Sequence, residues 1–175
     1  MKLNVKDMAL IGMLSTLLLG VKHALAFLPN VSLVTLFIII YAMYLKRKTI
    51  YIICIFVIVE GLLYGFGLWW FSYLYIWFIP YFIGSIFSEN KSPGFWAMVS
   101  GLYGLVFGGL SALVTFVIGC LSGGLQSGVS SAFAYYIAGI PFDITHGISN
   151  FILGLFLFKP LNYIFSKYIN DHLKS

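Results

Sequence analysis

Residues 31–64 read VSLVTLFIIIYAMYL, then Lys46-Arg47-Lys48, then TIYIICIFVIVEGLLY. Two apolar runs separated by a short basic triplet are the pattern of two membrane helices joined by a cytoplasmic turn. Lipid offers backbone groups no partner, so apolar segments there become helices, and Lys and Arg stay on the cytoplasmic side. The same reading extends outward along the chain. Apolar runs bounded by breakers predict spans at about 8–28, 31–45, 49–64, 68–87, 94–120 and 141–165. The breakers are Pro29-Asn30, the basic triplet, Gly65-Phe66-Gly67, Ser88-Glu89-Asn90-Lys91 and a Gly- and Ser-rich loop over Leu121–Ile140. The fold expected is therefore all-α, a single integral membrane domain over residues 1–175. It is a bundle of six transmembrane helices.

Composition agrees. Hydrophobic residues make up 61% of the chain and charged residues 9%, and mean hydropathy is +1.01. A soluble domain carries roughly a quarter charged residues, so this chain could not cover a water-facing surface. The first apolar run is too long for a cleavable signal and lacks a small-residue cleavage site. Cys54 and Cys120 fall in apolar stretches and read as small buried hydrophobes rather than a disulfide.

The net charge of +5 would suggest nucleic acid in a soluble protein. Here its distribution points to membrane orientation, with no nucleic-acid partner. Lys2 and Lys6 precede the first run, Lys91 joins the fourth to the fifth, and Lys159, Lys167 and Lys174 end the sixth. The intervening connections carry no Lys or Arg. Alternating basic and neutral connections place both termini in the cytoplasm, the chain being multi-pass in the cell membrane.

Five ionisable groups remain inside the apolar runs: Lys22, His23, Glu60, Asp143 and His146. Such groups are costly in lipid and face a bundle interior or a wet cavity. On the topology above all five fall in the outer half of the membrane. Asp143, His146 and Asn150 follow an i, i+3, i+7 spacing and share a helical face. Trp69, Tyr73 and Trp77 repeat every four residues, Trp70 lies beside them, and Tyr135 and Tyr136 precede the last run. A polar cluster ringed by aromatics suits a small flat ligand with polar groups. Lys22 with Glu60 also fits a structural ion pair, and aromatics also serve as interface anchors. The candidate substrate-binding residues are thus Lys22, His23, Glu60, Trp69, Trp70, Tyr73, Tyr135, Asp143, His146 and Asn150.

Small residues form two stripes. Gly12, Thr16, Gly20 and Ala24 recur every four positions early in the chain, as do Gly104, Gly108 and Ala112 later. In lipid such stripes let helices approach closely. The later one reads as internal packing, while the earlier one fits internal packing and docking to another membrane protein equally well. No G-x-x-x-x-G-K-[ST] loop is present, so the chain does not hydrolyse ATP itself. Neither a metal-ligand spacing nor a nucleophile elbow accompanies the polar residues, so no metal, no cofactor and no enzyme activity are expected.

The block Ala138-Gly139-Ile140-Pro141-Phe142-Asp143-Ile144-Thr145-His146-Gly147-Ile148-Ser149-Asn150-Phe151, followed by Phe158-Lys159-Pro160-Leu161, looks like the sixth helix of a known family. With its size and span pattern, the whole chain resembles the substrate-binding membrane subunits (S components) of energy-coupling factor vitamin transporters. That resemblance implies tight binding of a vitamin or related micronutrient in an outward-facing pocket. It also implies partnership with a membrane coupling subunit and two cytoplasmic ATPases. Ligand contacts would fall on Trp69, Tyr73, Tyr135, Asp143, His146 and Asn150. The family's Ala-x-x-x-Ala docking patch is replaced here: Ala9 is followed four residues later by Met13, and Gly12 with Thr16 keeps the small-residue spacing. Lys2 stands where the nickel and cobalt members have His, which argues against a metal substrate. The rival reading is a standalone proton-coupled secondary transporter in which Glu60 or Asp143 carries the proton.

Overall fold

A computed structural model describes residues 3–169, so Lys2 and Lys174 lie outside the described residues. All regular structure described is helical: α1 (Val5–Ala24), α2 (Val34–Leu45), α3 (Lys48–Tyr64), α4 (Leu68–Ile76), α5 (Phe78–Ile86) and α6 (Pro93–Ile164), with a π-helical turn at Phe165–Ile169. The start of α1 is set by a capping box: Asn4 Oδ1 accepts from the Asp7 N–H, and Asp7 Oδ2 accepts from the Asn4 N–H. Apolar on every side, α2 is buried along nearly its whole length and packs on α1, α3, α5 and α6. At Gly84 of α5 an added Cβ would stand 2.8 Å from the Ile39 carbonyl, so α5 and α2 meet backbone to backbone.

The expected bundle of six membrane spans is not what these helices form. Among the described residues one helical element alone, Pro93–Lys167, is long and apolar enough to cross a membrane by length and composition. With 12 residues at about 1.5 Å each, α2 reaches about 18 Å, short of a hydrocarbon core about 30 Å thick. The stretch expected as a fourth span is cut at Trp77 into α4 and α5. Pro80 accounts for the cut: it has no N–H to give the Ile76 carbonyl, and its ring crowds that oxygen. The Tyr103 hydroxyl donates to the freed Ile76 oxygen at 3.1 Å. The placing of both termini in the cytoplasm rested on six crossings and falls with them.

Residues 121–140, expected as a loop, belong to α6 as well. Only two residues leave helical geometry there: Gly123 (φ −152°, ψ 20°) and Gly124 (φ 76°, ψ −176°). The positive φ of Gly124 is one that a side chain would oppose. The chain reverses at this pair, and the two arms of α6 pack on each other. An added Cβ at Gly119 would meet Gly128 Cα at 2.8 Å, and one at Gly104 would meet Gly147 Cα at 2.8 Å. The Gly and Ser content that reads as a loop is what this close approach requires.

The most apolar stretch of Pro93–Lys167 is only 22% buried, whereas a core helix of a soluble protein would be covered. Large apolar side chains are also exposed elsewhere, as at Ile86 (72%) and Leu62 (69%). The chain is membrane-associated.

Two substitutions test this packing in thermal unfolding of the detergent-solubilised protein. Tyr103→Phe strands the Ile76 carbonyl and is expected to cost about 1–2 kcal/mol. Gly104→Val forces the arms of α6 apart and is expected to cost about 3 kcal/mol or more.

Candidate functional site

Three groups of side chains converge where α1 ends, α3 ends and α4 begins. The first is ionic. Lys22, in the last turn of α1, pairs with Glu60 of α3, whose side chain is fully buried. The Lys22 ammonium also lies over three rings, 5.2 Å from Tyr73, 5.6 Å from Phe56 and 5.7 Å from Tyr64. His23 Nδ1 donates to the Leu19 carbonyl at 2.7 Å, its ring stacks on Tyr64, and its Nε2 stands 3.9 Å from Glu60. Partnered in this way, Lys22 and Glu60 neutralise each other.

The second group is the stripe on the returning arm of α6. Asp143, His146 and Asn150 are 6%, 5% and 2% exposed, so the shared face does point inward. Asp143 Oδ1 accepts from the Gly108 N–H at 2.9 Å, a contact possible because Gly108 has no side chain to displace the carboxylate. Asp143 Oδ2 and His146 Nε2 are buried with no hydrogen-bond partner. Asn150 is used differently. Its Nδ2 donates to Thr35 Oγ1 and to the Ser100 carbonyl, each at 3.3 Å, which ties α2 to both arms of α6.

Aromatic rings complete the site. Trp69, Tyr73 and Trp77 form an edge-to-face ladder with centroids 5.0 and 5.2 Å apart. Trp77 then touches Phe107, whose ring packs at 4.9 Å on His146. Trp70 turns away, its indole N–H donating to the Val57 carbonyl at 2.9 Å.

Two cavities adjoin here. One, of about 220 Å³, is lined by Lys22, His23, Tyr64, Tyr73, Trp77 and His146, and by the turn between α1 and α2. The other, of about 360 Å³, is lined by Ser111, Tyr135, Phe142 and Asp143. Phe107 and Asn30 border both. Asn30 sits in a left-handed conformation (φ 60°), and its carbonyl accepts from Ser149 Oγ at 3.0 Å, so the turn is fastened to α6. Trp69, Trp70, Glu60 and Asn150 line neither cavity. A larger groove of about 420 Å³, between Phe71, Tyr75, Leu113 and Val117, has no ionisable group on it except the Tyr75 hydroxyl, which donates to the Leu110 carbonyl.

Asn30, Tyr64, Trp77, Phe107, Ser111 and Phe142 are among the lining residues and were not among the candidates read from sequence. Trp77 had a signal in its four-residue spacing from Tyr73. Phe107 and Ser111 had none, since an apolar run with small residues looks the same whichever face is inward. The proposed docking pair behaves differently from the site. Gly12 and Thr16 are exposed, and nothing lies within 4 Å of a Cβ added at Gly12. Among the described residues no three His, Cys, Asp or Glu side chains group in a way that could hold a metal ion.

The ion pair makes a direct prediction. Lys22→Met leaves Glu60 buried without its cation and is expected to lower stability by about 3 kcal/mol, the low end for uncovering a buried charge because Lys22 is 28% exposed. Adding Glu60→Leu is expected to restore most of that loss in the same unfolding measurement. No protein-family model, curated protein or solved structure matches this chain.

Proposed function

We propose that this chain is the solute-binding subunit of an ATP-driven micronutrient importer, multi-pass in a prokaryotic plasma membrane, and that its two adjoining cavities hold a vitamin-like small molecule. One observation carries the reading: Asp143 and His146 line these cavities, are more than nine-tenths buried, and leave polar atoms unpartnered among aromatic rings. Buried polar atoms are nearly always satisfied, so orphaned ones at a cavity are explained by a ligand that supplies the partners. The cavity sizes suit a small organic molecule.

Charge distribution supports an outward-facing pocket. Asp7 and Lys48 pair at 2.6 Å at the start of α1, and Lys91 lies over Tyr44, which bonds Asn162. These basic connections gather at one end. The cavities sit at the other, where α1 finishes about 22 Å away by helical rise. Applied to this end-to-end difference in charge, the positive-inside rule favours cavities that open outward. With no nucleotide-binding loop in its sequence, the chain would take its energy from separate ATPases through a membrane coupling subunit. The exposed Gly12 and Thr16 face of α1 is the surface proposed to meet that subunit. The proton-coupled alternative loses Glu60, which Lys22 already holds, and rests on Asp143; the position of the cavities toward one end favours the binding subunit.

Native mass spectrometry of the protein purified from cells grown in rich medium tests the reading. A retained small organic molecule, lost on His146→Ala or Trp77→Ala, is the expected result. An empty protein that no vitamin stabilises against heating would contradict it.

A further inference from the structure

We propose that the ligand presents a cationic nitrogen, or the amino-bearing edge of a heterocycle, to Asp143, so that the site selects cationic and donor-rich heterocycles and rejects carboxylates. This rests on the solute-binding reading above and adds the chemical class of the solute.

Charge at the site is set by the described Lys, Arg, His, Asp and Glu side chains that face the two cavities or pack on a residue lining them. From α1 come Lys22 and His23, from α3 Glu60, and from α6 Asp143 and His146. Sequence alone offers both signs of charge. The structure cancels one of them: Lys22 is committed to Glu60 and capped by Phe56, Tyr64 and Tyr73. An anionic ligand that captured Lys22 would strand Glu60, whose side chain has no exposure to water.

Asp143 has no such partner. Among the described residues no Lys, Arg or His nitrogen lies within 4.0 Å of its carboxylate. Its Oδ1 is used by the Gly108 N–H, while Oδ2 is buried and bare. Asp143 lines a cavity of about 360 Å³ whose other walls include Phe107, Phe142, Tyr135 and the small Ser111. Aromatic faces favour a cation as well as a flat ring. A carboxylate-bearing solute would instead bring a second carboxylate against Asp143, whose one hydrogen-bond donor among the described residues is the Gly108 N–H.

Thermal-shift and calorimetric titrations with two sets of probes decide this. Thiamine and pyridoxamine represent the cationic, amino-bearing class; biotin and nicotinate represent the carboxylates. Saturable binding confined to the first set is expected, with Asp143→Asn weakening it by about tenfold or more, equivalent to about 1.4 kcal/mol. The Asn side chain keeps an oxygen for the Gly108 N–H, and an unchanged ligand-free melting temperature verifies that the variant folds. Should it not fold, the wild-type selectivity decides alone. Binding confined to biotin or nicotinate would overturn the inference while leaving the solute-binding reading standing, and so would undiminished thiamine or pyridoxamine affinity in Asp143→Asn. Binding of neither set by a protein that also retains no solute on purification would overturn both.

Discussion

The two arms of α6 approach each other closely at glycines, and the site depends on that approach. Gly104 lies against the backbone of Gly147, Gly101 against Phe151, and Gly154 against Ala97. Lipid gives helices no hydrophobic reason to associate, so close backbone contact is what holds such arms together. It also fixes their rotation. With Gly147 turned toward Gly104, its neighbours at 143, 146 and 150 must face inward, and Asp143 arrives on the bare N–H of Gly108. A side chain at Gly104 or Gly108 would move the carboxylate and the cavity together.

Around that frame the polar groups divide into two kinds. Lys22 pairs with Glu60, Asn150 bonds Thr35 and Ser100, and Tyr103 closes the gap left by Pro80. These bonds hold helices in register where water is scarce. Asp143 and His146 are buried as well but line the cavities, and Asp143 Oδ2 and His146 Nε2, like Glu60 Oε1 and Asn150 Oδ1, have no hydrogen-bond partner.

Much of this was legible in advance. Composition exposes the membrane character, and the i, i+3, i+7 spacing of Asp143, His146 and Asn150 correctly predicts one buried face. Hydropathy was a poorer guide to helix boundaries and to spans. It counts apolar residues but ignores that Pro80 severs Ile76 from its hydrogen-bond partner, or that α2 is too short for a bilayer core. Glycine was ambiguous for a physical reason: the same residue permits a reversal at Gly124 and a helix–helix contact at Gly128. Phe107 and Asn30 became visible as lining only once the arms were placed, because no spacing distinguishes a cavity wall from a lipid-facing surface.

Trp77 gives the most direct test of the central claim, that these cavities bind a solute. It lines one cavity, whereas Trp96 is buried at the opposite end against Phe158. The measurement is intrinsic tryptophan fluorescence during titration with the small molecule released from the purified protein. The account predicts a saturable change that largely disappears in Trp77→Phe. No saturable change, or one undiminished in Trp77→Phe, would contradict it.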